Sequence, residues 1–582
     1  MFRKAGRAGV GQLMRAIIWQ TLIAAGSGGQ LMWAADGATG GGATPNIQAP
    51  GPLQLQLRTR STDERGVERV SYLDESWDPA HTAVIVCDMW DAHHCLNAVR
   101  RVGEITPRMN AFLHEARRRG ATIIHAPSEC MEFYQNHPAR LKAQRVPRAA
   151  TLPDQIEQWC HWKDPNEEQV GYPIDHTDGG EDDDMNEHWR WHEVLAAAGR
   201  KPGSPWKRQT PGIDILDTDY ISDDGVENWN ILTAHGIDHV MLVGVHTNMC
   251  VLGRPFGLRQ LSKNGKRVVL VRDLTDTMYN PNRRPFVSHF SGTDLVVEHV
   301  ERQVCPTITS DQLLGGHEFR FTGDRRPHIV MMIGEDEYQT ERTLPEFARK
   351  FLQRDFRLSF VHASASNPNN FPGLEVLDDA DLLVVSVRRR TPTVDQLQHV
   401  RDFLAAGKPA VGIRTASHAF SLRDGQPPAA GHASWPEFDA VVWGGNYQGH
   451  YGHNEPTERR SFVQIVPTQS LNPLLTNISA NEQGVVSWLY KTNPLAPGTN
   501  LLMTGRHDSS KNVEPVTWTY RRADGGRSFY TSLGHPADFA EPWFQRLLLN
   551  GTCWAAGLSV PASLPDVPVI GATPDSRAAS VD

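Results

Sequence analysis

Apolar runs of strand length alternate with segments of helical period from residue 82 to residue 317, and no other pattern restricts the fold as tightly. "TAVIVCDMW" is a continuous apolar run that closes on Asp88, as a central parallel strand with both faces covered requires. "ITPRMNAFLHEARRRG" then has helical spacing and a terminal glycine. "ATIIHAP" reads as a second strand and "GVENWNILTAHG" as a helix. "HVMLVGV" is a strand, "NMCVLGRPFGLRQLSKNG" a helix and "KRVVLVRD" a strand. A second series starts near Pro327 with "HIVMMIGE", "TLPEFARKFLQR", "FRLSFVHA", "ADLLVVSV", "TVDQLQHVRDFLAAG" and "KPAVGIRT". Near the end, "VTWTYRRADGGRSFYTSLGH" reads as a hairpin around Gly525 and Gly526, and "PWFQRLLLNGTCWAAG" as a closing helix. Such alternation predicts an α/β class: two doubly wound parallel sheets in tandem, each in three α/β/α layers.

A chain of 582 residues exceeds what one core can organise. Four segments are expected: 1–50, 51–325, 326–560 and a Pro-, Ala- and Ser-rich disordered tail at 561–582. The first begins with basic "MFRKAGRAGVGQLMR", followed by apolar "AIIWQTLIAAGSGG" and a glycine-rich stretch. That order resembles a secretory signal with a flexible linker, so export to the periplasm or beyond is expected, a cytoplasmic protein with a basic tail being the alternative. No other segment reaches the roughly 18 apolar residues of a membrane helix, so no span is expected in the mature chain. The net charge of −9 is mild for this size and gives no reason to expect a nucleic-acid partner. The seven cysteines have neither CxxC pairs nor zinc-ligand spacing, which excludes a disulfide scaffold.

Cys250, in "GVHTNMCVLGRPFG", lies where a strand ends and a helix begins. Alpha/beta folds place reactive groups there. A thiol that cleaves an acyl bond needs a base or positive neighbour, donors for the oxyanion and a turn that exposes it. Asp88, at the end of the first strand, is placed to accept the thiol proton. A nearby lysine would hold the carboxylate and lower the thiol pKa, and the helix start supplies N–H groups. Cys87 alternates to the opposite face and reads as core.

"VIVCDMWDAH", Lys207 and "GVHTNMCV" resemble the Asp–Lys–Cys arrangement of the isochorismatase-like cysteine hydrolases, over about residues 80–317. The resemblance implies Cys250 as nucleophile, Asp88 as general base and Lys207 as the basic member, with Arg208 next to it as the competing cation. It also implies a cis peptide at Val245–His246 and an oxyanion hole formed by the N–H groups of His246 and Cys250. His93, His94, Asn248 and Arg208 are candidates for the substrate pocket, and Asp91 for a supporting carboxylate. The first domain needs no cofactor on this reading. The nicotinamidase metal motif is absent from "HAPSECMEFYQNHPARLK", so nicotinamide is a poor substrate match. Pro255 is expected to kink the helix after Cys250.

Between the second strand and the later units lies a polar insertion, about 138–206, longer than a compact domain normally tolerates without a function. Its "DHTDGGEDDD" gathers Asp175, Asp178, Asp182, Asp183 and Asp184, an oxygen-rich loop suited to a divalent cation or simply to solvent. Trp159, Trp162, Trp189 and Trp191 would close a pocket lid or anchor the insertion.

"WGGNYQGHYGHN", "LLMTGRHDSS", "EPVTWTY" and "FYTSLGHP" resemble the trehalose-utilisation (ThuA-like) family, which shares the class I glutamine amidotransferase fold, over about 327–558. The turn that carries the amidotransferase cysteine reads "GIRTASHAF" here, with Arg414 at the nucleophile position. Glutamine hydrolysis is therefore not expected. A cleft with His418, Tyr447, His450, His453, His507 and His535 remains, suited to acid–base work or metal binding, and the resemblance implies a carbohydrate derivative as partner.

The expected function is hydrolysis of a small amide or related C–N or acyl substrate through a cysteine nucleophile, joined to a carbohydrate-related domain. Two alternatives stay open: a non-catalytic binding protein that keeps both folds, and isochorismate-type vinyl-ether hydrolysis that uses Asp88 and spares the cysteine. A homo-oligomer is compatible with the sequence.

Overall fold

The computed structural model describes residues 51–160, 167, 171–452, 458–479 and 481–563. The signal-like segment, Trp162, His453 and the tail from residue 564 lie outside the described residues. Among the described residues no helix is long and apolar enough to cross a membrane.

Two α/β sheets form in tandem. The first contains β1 (Leu53–Thr62), β2 (Glu68–Trp77), β3 (Thr82–Cys87), β4 (Thr122–Ala126), β5 (Tyr220–Ile221), β6 (His239–Val245), β7 (Arg267–Asp276) and β8 (Thr307–Ile308). Their order is β2-β1-β8-β7-β6-β3-β4-β5. From β8 to β5 every pairing is parallel. Strands β3 and β6 are central, so "TAVIVC" is buried at every position, which explains a run without polar alternation. Helix α1 (Leu96–Arg119) ends at Gly120, whose φ of 103° lets the chain turn back into β4.

One feature of this sheet was not anticipated from the strand–helix alternation. "LQLQLRTR" forms β1, pairs antiparallel with β2 and continues the sheet past β8. Its apolar residues alternate, with Leu53, Leu55 and Leu57 buried, the pattern of a half-covered edge hairpin.

The second sheet contains β9 (His328–Gly334), β10 (Arg357–His362), β11 (Leu382–Val387), β12 (Ala410–Ile413), β13 (Ser461–Ile465), β14 (Gln483–Val485), β15 (Thr499–His507), β16 (Val513–Arg521) and β17 (Arg527–Thr531). Their order is β10-β9-β11-β12-β17-β16-β15-β13-β14. The first five are parallel, and the rest form an antiparallel extension. The hairpin read around Gly525–Gly526 is the β16–β17 turn.

Charged residues join the two halves. Arg60 on β1 contacts Glu68, Glu298 and Glu301, and Arg349, from the helix Thr340–Phe351, contacts Glu68 and Glu298. Burial works against the Glu301 charge, but Arg58 and Arg60 hold its pKa down to about 2.

Candidate active site

The parallel pairing of β3 with β6 sets Cys87 opposite Gly244. Gly244 has φ of 110°, and a Cβ there would lie 2.0 Å from the Cys87 carbonyl oxygen. Only glycine permits this approach, which brings the ends of the two strands, and the catalytic candidates on them, together. Gly244→Ala is expected to destabilise the protein by about 3 kcal/mol, from the unfavourable φ and overpacking combined. An unchanged denaturant midpoint would remove the steric explanation.

Past β3 the chain turns at Asp88, which has φ of 47°, a conformation uncommon outside glycine. Asp88 is fully buried. One carboxylate oxygen accepts the Ser128 N–H at 2.7 Å, and the other accepts Nε of Arg254 at 3.1 Å. Cys250 lies beside this carboxylate, near enough for each group to shift the other's pKa. Burial raises the Asp88 pKa, while Arg254 and the hydrogen bonds pull it down without cancelling the shift.

Cys250 lies in a single π-helical turn, Thr247–Val251, after a cis Val245–His246 peptide. Thr247 pins that turn: its hydroxyl bonds Thr275 Oγ1 at 2.7 Å and donates to the Asp276 carbonyl at 2.9 Å. Burial and then the Asp88 charge push the Cys250 pKa well up, opposed chiefly by Arg254. The resting thiol is therefore protonated.

The basic position differs from the expectation. Lys207 is exposed, and its amine is 3.5 Å from the Gly199 carbonyl. Arg208 is 3.7 Å from Asp91 and packs over the Phe133 ring. Neither pairs with Asp88. Arg254 does, from one turn beyond the cysteine, where its N–H donates to the Cys250 carbonyl at 2.9 Å. The i,i+4 spacing, which puts two side chains on one face, was visible in "CVLGR". The chain then breaks at Arg254–Gly257 before the helix Leu258–Lys263, so Pro255 interrupts the helix as expected.

The insertion packs onto this turn. Trp159 lies against Arg254, with the guanidinium carbon 4.6 Å from its ring centre. The Cys160 N–H donates to the Gly253 carbonyl at 2.7 Å. Asn248 bonds His176 and both backbone groups of Met278, so it ties the turn to its neighbours. His93 is buried, its ring 4.9 Å from that of His246 and stacked near Trp90 and Trp206. Burial and the neighbouring histidines hold it uncharged. His94 turns instead to Glu181, 3.2 Å away. Trp191 donates to the His93 carbonyl, whereas Trp189 stays exposed.

Each of the five insertion aspartates has a protein partner. Asp175 accepts from Thr177, and Asp178 from Asn280 and Arg283. Asp182 pairs with Arg101. Asp183 accepts the N–H groups of Leu96 and Asn97 at 2.8 Å each, capping α1 in place of Cys95. Asp184 caps the helix Met185–Ala197. Among the described residues, Cys95, Asp182 and Asp183 have ligand atoms mutually within 4.8 Å, and the cap and the Arg101 pair account for both carboxylates.

In the second sheet Arg414 occupies the turn after β12, with φ of 46°. His418 stacks on Tyr447 with ring centres 4.4 Å apart, and Tyr447 lies against Tyr490. His450 packs on Trp488. His535 caps the short helix Pro536–Phe539 and lies 6.3 Å from the Tyr338 ring. His507 is engaged with Ser509, Asp508 and Tyr451. His418 and Tyr447 thus converge with Arg414, through Tyr490, whereas His507 belongs to a separate group.

Residues 329–555 match the family model described as ThuA, trehalose utilisation. No curated protein matches the chain. Among solved structures, a ThuA-like protein from Parabacteroides merdae is similar at 16% identity, covering 42% of this chain and 96% of its own, with a TM-score of 0.32. A cysteine hydrolase from Pseudomonas syringae is similar at 16% identity over 41% of this chain and 93% of its own, TM-score 0.25. An N-carbamoylsarcosine amidase from Thermoplasma acidophilum is similar at 15% identity over 40% and 96%, TM-score 0.21. The chain joins a domain at residues 329–555 that matches the ThuA family model to a preceding α/β domain that sets a strand-end Asp88 beside a turn-borne Cys250.

Proposed function

We propose that the first domain is a hydrolase of small amides or related C–N and acyl substrates, with Cys250 as nucleophile and Asp88 as general base. The observation that carries this reading is the buried Asp88, which accepts from Arg254 and lies close enough to Cys250 for its charge to act on the thiol. Such a carboxylate can take the thiol proton as sulfur attacks the acyl carbon. The oxyanion then faces the N–H groups of His246 and Cys250. When the C–N bond breaks, the amine leaves with the proton held by Asp88. Water next attacks the thioester, Asp88 takes its proton, and the proton returns to sulfur as the acid departs. Arg254 stays charged throughout and holds Asp88 in place, since a guanidinium does not give up its proton at these pH values. Trp159 packs on Arg254, and His93 stacks near Trp206; these aromatic faces are the surfaces read as meeting the substrate. The chain is read as exported, and its ThuA domain as one that takes a carbohydrate derivative.

The test is a panel of small amides and activated esters with intact-mass detection of an acyl-enzyme. An acyl group mapped to Cys250, and turnover lost in Cys250→Ala, is the expected result. Turnover that survives Cys250→Ala but not Asp88→Asn would favour vinyl-ether-type hydrolysis. No turnover and no adduct would leave a binding protein.

A further inference from the structure

The second sheet has its own charged cluster at the carboxyl ends of its strands. Its crossovers diverge between β9 and β11, since β10 lies beyond β9 on one side and β12 beyond β11 on the other. Ligands of open α/β sheets bind outside the carboxyl ends of strands at such a point. Two arginines stand there in left-handed backbone conformation: Arg389 after β11, with φ of 51°, and Arg414 after β12, with φ of 46°. Non-glycine residues held in this region cost energy and cluster at ligand sites.

The arginines flanking Arg389 are matched. Arg388 pairs with Asp336 and Glu337, and Arg390 with Asp336. Among the described residues, neither Arg389 nor Arg414 has a carboxylate within ion-pair distance. The Arg389 guanidinium donates to the Ser421 carbonyl, at 3.3 Å. Arg414 is 1% exposed. It donates to the Ser532 carbonyl at 2.8 Å and to the Tyr338 hydroxyl at 3.2 Å, and its Nε is buried without a partner. A buried charge without a counter-charge, as at Arg414, is costly, and Arg389 beside it is half-buried, in a chain of net charge −9. Burial, and then Arg389, Arg388, Arg414 and Arg423, hold His418 far below the ordinary histidine range. Burial likewise lowers the Arg389 pKa. Aromatic faces complete the cluster: Arg414 lies 4.1 Å from the ring centre of Tyr338 and 4.8 Å from that of Tyr490. Tyr490 in turn contacts Tyr447.

We propose that this cluster binds a sugar-sized anion, its carboxylate or phosphoryl group held by Arg389 and Arg414 and its body against Tyr447 and Tyr490. The guanidinium fork suits either head group. The sugar part rests on the carbohydrate reading of the ThuA domain; the anionic part rests on the arginines alone.

Calorimetric titration of the full chain with D-glucuronate, D-glucose 6-phosphate, D-glucose, acetate and inorganic phosphate separates the parts. At least one of the first two is expected to bind tenfold or more tightly than D-glucose, and which one does so identifies the head group. Arg389→Gln should abolish that preference. Arg414→Lys, which keeps the charge but loses the fork, should weaken it, with the fold checked by circular dichroism. If acetate or inorganic phosphate binds as tightly as the sugar acid, the arginine site stands and the carbohydrate reading falls. If D-glucose binds as tightly as D-glucuronate and D-glucose 6-phosphate, the carbohydrate reading stands and the inference is overturned. It is overturned as well if no probe binds at millimolar concentration, or if Arg389→Gln changes nothing.

Discussion

Asp88→Asn is expected to move two properties of Cys250 in opposite directions. Hydrolysis should fall by about 10²–10⁴-fold, the usual contribution of a positioned general base. Alkylation of Cys250 by iodoacetamide should become faster. The Asp88 carboxylate raises the thiol pKa and Arg254 lowers it, so removing the carboxylate leaves the arginine unopposed and favours thiolate. A carboxylate that merely braced the fold would not separate the two readouts in this way. Slower alkylation together with lost turnover would count against the proton-acceptor role. In the wild type, burial holds the Asp88 pKa above its ordinary value. The base works ionised, so kcat/KM should rise with pH through an acid limb above the usual carboxylate range. Alkylation of the resting thiol should need alkaline pH.

Arg254→Met carries the other large effect. The methionine keeps much of the side-chain volume against Trp159 but leaves Asp88 buried without its ion pair. Breaking a buried pair from one side costs about 3–5 kcal/mol, to be read from the denaturant midpoint. The Asp88 and Cys250 pKa values should both rise further, so the acid limb should shift upward and turnover should drop. Arg254→Lys is expected to recover part of both losses, because it restores the charge but not the planar contact with the Trp159 ring. Equal stability and activity in all three proteins would show that the Asp88–Arg254 contact contributes nothing.

The placement of Asp88 and Cys250 was legible because both sit at the ends of fully apolar runs, and parallel strands bring such ends together. The glycine of "VGVHTNMC" was legible as part of a motif, but its reason lies in an approach between two backbones that sequence does not display. Lys207 was reached through the family resemblance and its separation from Cys250, whereas the cation paired with Asp88 in the fold is Arg254. The position that matters follows the helical turn after Cys250, where this chain has arginine. The edge hairpin β1–β2 left an audible period of two in "LQLQLRTR", overlooked beside the stronger strand–helix alternation. The acidic insertion suggested a cation because aspartates at short spacing have no visible partners in sequence. In the fold they cap helices and meet Arg101 and Arg283, which come from distant parts of the chain. Arg389 was hidden for a related reason: in "VRRR" nothing marks the middle arginine as the one without a carboxylate.

The charge cluster joining β1, the helix His289–Gln303 and the helix of Arg349 works as a mating code between the halves. Neither half carries the whole set: Arg60, Glu68, Glu298 and Glu301 come from the first, and Arg349 from the second. A ThuA domain grafted onto another hydrolase would bring its arginine without the acids that receive it. The first domain alone would keep Arg58, Arg60 and Arg302 beside these acids but lose the Arg349 contacts to Glu68 and Glu298. Swapping either half therefore forfeits the ion pairs that only Arg349 supplies.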